Sequence, residues 1–278
     1  YVTWVWFSSF NNVGNFIWNH DSHSTLIEDN VFTVEDGNKV VSAWKIYAFQ
    51  SVIRNNYFIT ESTWPQTTHY RIIYANESII SENTISISDV NHNYMSLIET
   101  TGSENNRSVV ENNIISIDIG YPTYENGDEA VMTIHGYTDV INNNINRHFN
   151  NQGSWSYGEN ALISSRGVET IISGNTLFNS LTSPAVIFEN GSSQIFTNNI
   201  IHTENTYPAI HISNSEVLIS HNLIESEGRG IEMNSQSGGQ IINNTIISPN
   251  SADYGIHISN LSAPVVQNNI VEGFTNGI

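Results

Sequence analysis

Hydrophobic and polar positions follow a phrase that returns ten times along this chain: an apolar residue, two polar ones, an asparagine, a free position, then another apolar residue. It reads Ile27-Glu28-Asp29-Asn30-Val31-Phe32 and Ile53-Arg54-Asn55-Asn56-Tyr57-Phe58 early in the chain. Late in the chain it reads Ile219-Ser220-His221-Asn222-Leu223-Ile224 and Val266-Gln267-Asn268-Asn269-Ile270-Val271. The recurring asparagines are Asn30, Asn56, Asn83, Asn113, Asn144, Asn175, Asn199, Asn222, Asn244 and Asn269, spaced 22 to 31 residues apart. A second apolar patch precedes the phrase and alternates strictly, as in Ile210-His211-Ile212, Ile231-Glu232-Met233 and Ile256-His257-Ile258. Such alternation is the mark of a strand with one buried face. Isoleucine, valine, threonine and phenylalanine dominate, which favours strand over helix. A period of this size in strand-like sequence predicts a solenoid of stacked coils. Leucine-rich repeats also carry a periodic asparagine, but they need leucine where this chain has isoleucine and valine.

The phrases Val52-Ile53-Arg54-Asn55-Asn56 and Gln240-Ile241-Ile242-Asn243-Asn244-Thr245-Ile246 resemble those of the right-handed parallel β-helix superfamily, which includes pectate lyases and many secreted surface proteins. The resemblance runs over residues 24–278. It implies an all-β fold, a right-handed parallel β-helix of about ten coils with longer loops on the central coils. Residues 1–23 read as an irregular, aromatic-rich entry segment or partial coil, and residues 24–278 as the β-helix itself. The ten asparagines are expected at corners, because asparagine tolerates left-handed backbone and stacked amides can bond up a column.

Composition narrows the function classes. The chain has 278 residues, 27 acidic against 8 basic, for a net charge of −19. Nucleic-acid binding is excluded, since phosphate contacts need clustered Lys and Arg. No apolar run reaches the roughly 20 residues of a membrane-spanning helix. With no cysteine there are no disulfides and no thiolate metal sites. The acidity suits a soluble exterior, a cation-rich medium or bound Ca²⁺.

Function on a solenoid is expected where repeats deviate from one another. Eighteen residues separate Asn113 from Val131 and Asn144 from Leu162, against nine between Asn222 and Ile231. The long loops carry Trp64, Tyr94, Tyr121, Tyr124, Trp155 and Tyr157, the candidate carbohydrate contacts, because rings stack on sugar faces. Asp118, Glu125, Asp128 and Glu129 stand close by in sequence as candidate Ca²⁺ ligands.

Stacking also places equivalent positions of successive coils about 4.8 Å apart, so columns can be read as sites. The column nine residues before the asparagine gives His135 and then Arg166. That pair resembles the layout of β-helix lyases, in which a base abstracts the proton α to a uronate carboxylate neutralised by Ca²⁺ or arginine. The Lys-then-Arg pair of alginate- and chondroitin-type lyases and the Asp-Asp and Arg-x-Lys signatures of polygalacturonases are not reproduced in register. His211, Glu232 and His257, each the middle of an alternating triplet, form an outward column that reads as a solvated face or a weak divalent-metal site. His202 with Glu225 makes a similar pair, and His20-Asp21-Ser22-His23 a local cluster. Five Asn-x-Ser/Thr sequons, at Asn76, Asn106, Asn190, Asn243 and Asn260, are candidate glycosylation sites in a chain rich in asparagine.

Phe274-Thr275-Asn276-Gly277-Ile278 matches Ala252-Asp253-Tyr254-Gly255-Ile256, the start of an inner strand. The expectation is therefore further coils, or self-association, at an open C-terminal end. Together these features predict a secreted or cell-surface structural or adhesive β-helix module, fibre-forming in one version, that contacts carbohydrate through its central loops. No cofactor beyond Ca²⁺ is implied. The rival is a polysaccharide lyase or glycoside hydrolase acting on an acidic polysaccharide near His135 and Arg166.

Overall fold

The computed structural model describes residues 3–6, 9–11, 17–18, 24–34, 46–61, 69–90, 94–119, 130–149 and 161–278. Every named strand is paired in parallel with the strand three places along the chain, giving sheets of 11, 11 and 10 strands. The first sheet runs from Thr3–Trp6 to Val265–Gln267, the second from Ser9–Asn11 to Ile270–Glu272, and the third from Ile17–Trp18 to Ile256–Ile258. One strand of each sheet makes a coil, three strands where the two apolar patches predict two, because the asparagine corner divides the phrase into a strand before it and a strand after it. In the opening segment, Thr3–Trp6, Ser9–Asn11 and Ile17–Trp18 supply one strand to each sheet.

The core is a set of aliphatic columns. Ile27, Ile53, Ile80, Val110, Val140, Ile172, Phe196, Ile219 and Ile241 stack inside the first sheet, all fully buried. Phe32 and Phe58 stack inside the second sheet with ring centroids 4.7 Å apart. β-Branched side chains suit such columns, because identical neighbours one coil apart pack in the same rotamer.

The corner between the first and second sheets holds the asparagines, and here the structure corrects two expectations. The column runs Asn30, Asn56, Asn83, Asn113, Asn143, Asn175, Asn199, Asn222, Asn244 and Asn269, with Asn143 in the place expected for Asn144. Three consecutive asparagines, Asn142 to Asn144, blur the phrase. The flanking apolar residues decide it: Val140 and Ile145, three before and two after Asn143, are both fully buried. Asn144 stands on the exposed outer side of the next strand.

The left-handed backbone is also one residue earlier than expected. It belongs to Asp29, Asn55, Glu82, Asn112, Asn142, Gly174, Asn198, His221, Asn243 and Asn268, with φ between 53° and 70°. The column asparagine is instead buried and bonded up the stack. Asn113 donates through Nδ2 to Asn143 Oδ1 at 2.9 Å and to Ile80 O of the preceding coil at 2.9 Å, and its backbone N–H donates to the same Oδ1 at 3.0 Å.

A second buried polar ladder occupies the corner between the third and first sheets. Backbone N–H groups of Thr25, Ser51 and Ser78 donate to the hydroxyls of Ser51, Ser78 and Ser108. Further along, Ser215 and Ser237 donate in the same way to Ser237 and Ser262.

Candidate functional site on the outward face of the third sheet

Alternation in the third sheet sends one residue of each triplet inward and the next outward. One outward column runs in register through Tyr47, Tyr74, Glu99, Thr133, Ser164, Ile187, His211, Glu232 and His257. A second lies two residues further along each strand. It holds His135, opposite Thr101, and Glu189, opposite Ser213. Arg166 enters it one residue beyond the paired strand Ile163–Ser165, its N–H donating to Ile134 O at 2.9 Å. The two columns that the sequence presents separately therefore share one face.

Along that face, seven successive coils each carry a charged or titratable group: Glu99, His135, Arg166, Glu189, His211, Glu232 and His257. Opposite charges meet across coils. His135 Nε2 lies 3.5 Å from Glu99 Oε1, and Arg166 Nε donates to Glu189 Oε2 at 3.0 Å. His211 Nδ1 and His257 Nδ1 each lie 3.3 Å from an oxygen of Glu232, which also accepts from Arg229 Nη1 at 2.6 Å. Hydrogen bonding from His211, reinforced by the charge of Arg229, pulls the Glu232 carboxyl down to about 2. Glu232 is therefore an anion at any ordinary pH.

At the other end of the face, Tyr47 and Tyr74 stack with ring centroids 4.8 Å apart and planes 11° from parallel. Burial, then the neighbouring Tyr74, raises the Tyr47 hydroxyl. Between the two ends, Thr133, Ser164 and Ile187 point outward but are buried. Ile187 packs with Ala130 and Ala161, which lead the chain back to this sheet from residues 120–129 and 150–160.

His135 and Arg166, proposed from the sequence as a pair, are neighbours, each about a third exposed (34% and 36%), but each is tied to its own carboxylate. The His211, Glu232 and His257 column is held together by direct contacts within itself. Among the described residues, no group of three or more His, Cys, Asp or Glu is disposed to hold a metal ion. Asp118 lies on the second sheet, opposite His148. Glu125, Asp128 and Glu129, and the aromatics Trp64, Tyr121, Tyr124, Trp155 and Tyr157, fall outside the described residues, as does the His20 to His23 cluster. Tyr94 opens the strand Tyr94–Gly102, opposite His69. In chain order, segments 35–45, 62–68, 91–93, 120–129 and 150–160 each fall between a strand of the second sheet and one of the third.

His202 Nδ1 lies 3.2 Å from Glu225 and its Nε2 3.4 Å from Glu204, on the outer side of the second sheet, with Phe178 stacked on its ring at 5.3 Å. Asn106, Asn190, Asn243 and Asn260 are exposed, and Asn76 is half-buried. The stacked tyrosines were the residues that reading by loop length passed over. Ile46-Tyr47-Ala48 and Ile73-Tyr74-Ala75 carry the same apolar-x-apolar signal as the histidine triplets.

Three parallel sheets, one strand of each per coil, give the chain the fold of the right-handed parallel β-helix superfamily. Residues 161–278 match the family model described as a right handed beta helix region. Among solved structures the chain is similar to the Dettilon tailspike protein gp208, at 10% identity and a TM-score of 0.57, covering 98% of this chain and 55% of that one. It thus spans little more than half of the tailspike. It is also similar to two mannuronan C-5 epimerase A-modules of Azotobacter vinelandii. For AlgE4 the identity is 13% and the TM-score 0.49, over 100% of this chain and 88% of that one. For AlgE6 the values are 10% and 0.45, over 99% and 86%. No curated protein matches the chain.

Proposed function

We propose that the chain is a secreted or cell-surface β-helix module of structural or adhesive type that contacts carbohydrate along the outward face of the third sheet. The observation that carries this reading is the run of seven successive coils with a charged or titratable group on one face, beside the stacked Tyr47 and Tyr74. A regular spacing of donors and acceptors, one coil apart, suits a long repeating ligand lying along the axis. The ion pairs supply carboxylate acceptors and imidazole or guanidinium donors for hydroxyls. Trp64, Tyr121, Tyr124, Trp155 and Tyr157 of the central loops remain the sequence's candidate sugar contacts, and Glu125, Asp128 and Glu129 its candidate Ca²⁺ ligands.

The adjacency of His135 and Arg166 favours one second reading, a lyase acting on an acidic polysaccharide. Against it, both residues are engaged with Glu99 and Glu189, which leaves neither a free base nor a free carboxylate clamp. The two readings separate in one experiment. Uronate polymers incubated with the protein and Ca²⁺ should give no rise in ultraviolet absorbance from unsaturated product. A rise abolished by His135→Ala or Arg166→Ala establishes the lyase instead.

A further inference from the structure

Beside the charged end of this face, the connections from the second sheet to the third enclose an open pocket of about 440 Å³, within the range of small-ligand sites. Tyr207, Glu227, Gly228, Arg229, Glu232 and Asp253 line it. We propose that this pocket binds a neutral sugar unit, a hexose or a short neutral oligosaccharide end, as a site beside the column of ion pairs, with Glu232 shared between the two. The proposal rests on the carbohydrate reading above and gives it a place and a substrate class.

The wall of the pocket depends on a close approach. A Cβ on Gly228 would lie 2.2 Å from Tyr207 O, so only glycine lets the segment around Tyr207 lie against the next coil. The floor is electrostatically fixed. Glu232 is held by Arg229, His211 and His257, so its charge is already satisfied. The remaining groups are unevenly occupied. Glu227 accepts from Asn250 Nδ2 at 2.7 Å through one oxygen, while its other oxygen and the Asp253 carboxylate have no side-chain partner among the described residues. Arg229 uses Nη1 on Glu232, and its other N–H groups have no protein acceptor among the described residues.

Unfilled carboxylate acceptors and unfilled guanidinium donors thus line the same pocket. A sugar hydroxyl both donates and accepts, so adjacent hydroxyls satisfy both sides at once. The ligand's charge follows from the same groups. A uronate would meet three carboxylates and a guanidinium already bridged to one of them. A cation would meet that guanidinium. A neutral polyhydroxyl ligand meets neither penalty, and Tyr207 offers an apolar surface for a ring.

Saturation-transfer NMR with the whole chain tests this, using neutral disaccharides of glucose, galactose and mannose, the matching uronates, and CaCl₂ alone. The expected result is transfer to at least one neutral disaccharide, reduced fivefold or more in Asp253→Ala and in Tyr207→Ala. Both sites are on connections, and unchanged circular dichroism confirms that the variants fold. Binding of neutral sugars that these variants leave intact, but Tyr74→Ala or Arg166→Ala removes, overturns the pocket while leaving the carbohydrate reading standing. Transfer only to uronates, or Asp253-dependent Ca²⁺ binding without sugar binding, also overturns it. No transfer to any sugar overturns both.

Discussion

Two ladders run the length of this molecule, and they differ in kind. The interior corner repeats one residue: Asn30 through Asn269, each donating to the next. The outward face of the third sheet repeats two positions but varies the residue, with tyrosine, glutamate and histidine in one column and histidine, arginine and glutamate in the other. Uniformity inside reflects a single structural demand met in every coil, since a buried corner leaves backbone groups that only a fixed amide satisfies. Variation outside, with opposite charges meeting between coils, shows that no single structural demand fixes the residue there. The same spacing serves both, and only chemistry distinguishes scaffold from site.

The sharpest way to break this contrast is at the three asparagines Asn142 to Asn144. Asn143→Ala removes the acceptor for the Asn113 backbone and side chain and the donor to Asn175 and Val110, leaving buried groups unpaired. It should destabilise the protein by about 3 kcal/mol, while exposed Asn144→Ala stays within about 0.5 kcal/mol. Urea unfolding of the two variants measures this, and equal costs would place the ladder wrongly.

A smaller effect is expected one residue upstream. Asn112 sits at φ 54°, so Asn112→Val should cost about 1–2 kcal/mol and Asn112→Gly almost nothing. If Val and Gly prove equivalent by urea unfolding, the left-handed corner is not where the structure puts it.

The outer ladder should respond to acid rather than to truncation. The Glu232 carboxyl is depressed to about 2, below its unfolded value near 4.5. Its contribution is therefore present above about pH 4.5 and is lost as the pH falls toward 2. Wild type should exceed Glu232→Gln in urea midpoint at pH 7, and the gap should close as the pH approaches 2. A gap independent of pH would show that the carboxylate charge is not what holds His211, Arg229 and His257 together.

Much of the fold was legible because period and alternation are local signals. The interior residue of each phrase, such as Ile80 or Phe196, can be read from its neighbours alone, and both are buried. The exact corner was not. In Asn142-Asn143-Asn144 the identity of the residue carries no information, and only the depth of Val140 and Ile145 settles the register. The serine ladder, five residues before the column asparagine at Ser51, Ser78 and Ser108 and seven before it at Ser215, Ser237 and Ser262, was missed because serine signals turns as readily as buried bonds.

The site was legible by half. His211, Glu232 and His257 could be seen as a column because their triplets are regular. Their union with His135 and Arg166 on one face could not, since long loops of different length intervene. Nor could Glu99 and Glu189 be recognised as partners of His135 and Arg166, because register between coils, not sequence distance, brings them together.

The central claim is that the varied outer ladder, and not the scaffold, meets the ligand. An oligosaccharide array read with wild type, Tyr74→Ala, Arg166→Ala and Ile195→Ala tests it directly, Ile195 being an outward residue of the first sheet. The account predicts binding of long repeating glycans that falls at least tenfold in Tyr74→Ala or Arg166→Ala and is unchanged in Ile195→Ala. Binding lost only with Ile195→Ala, or no binding to any glycan by the folded wild type, would contradict it.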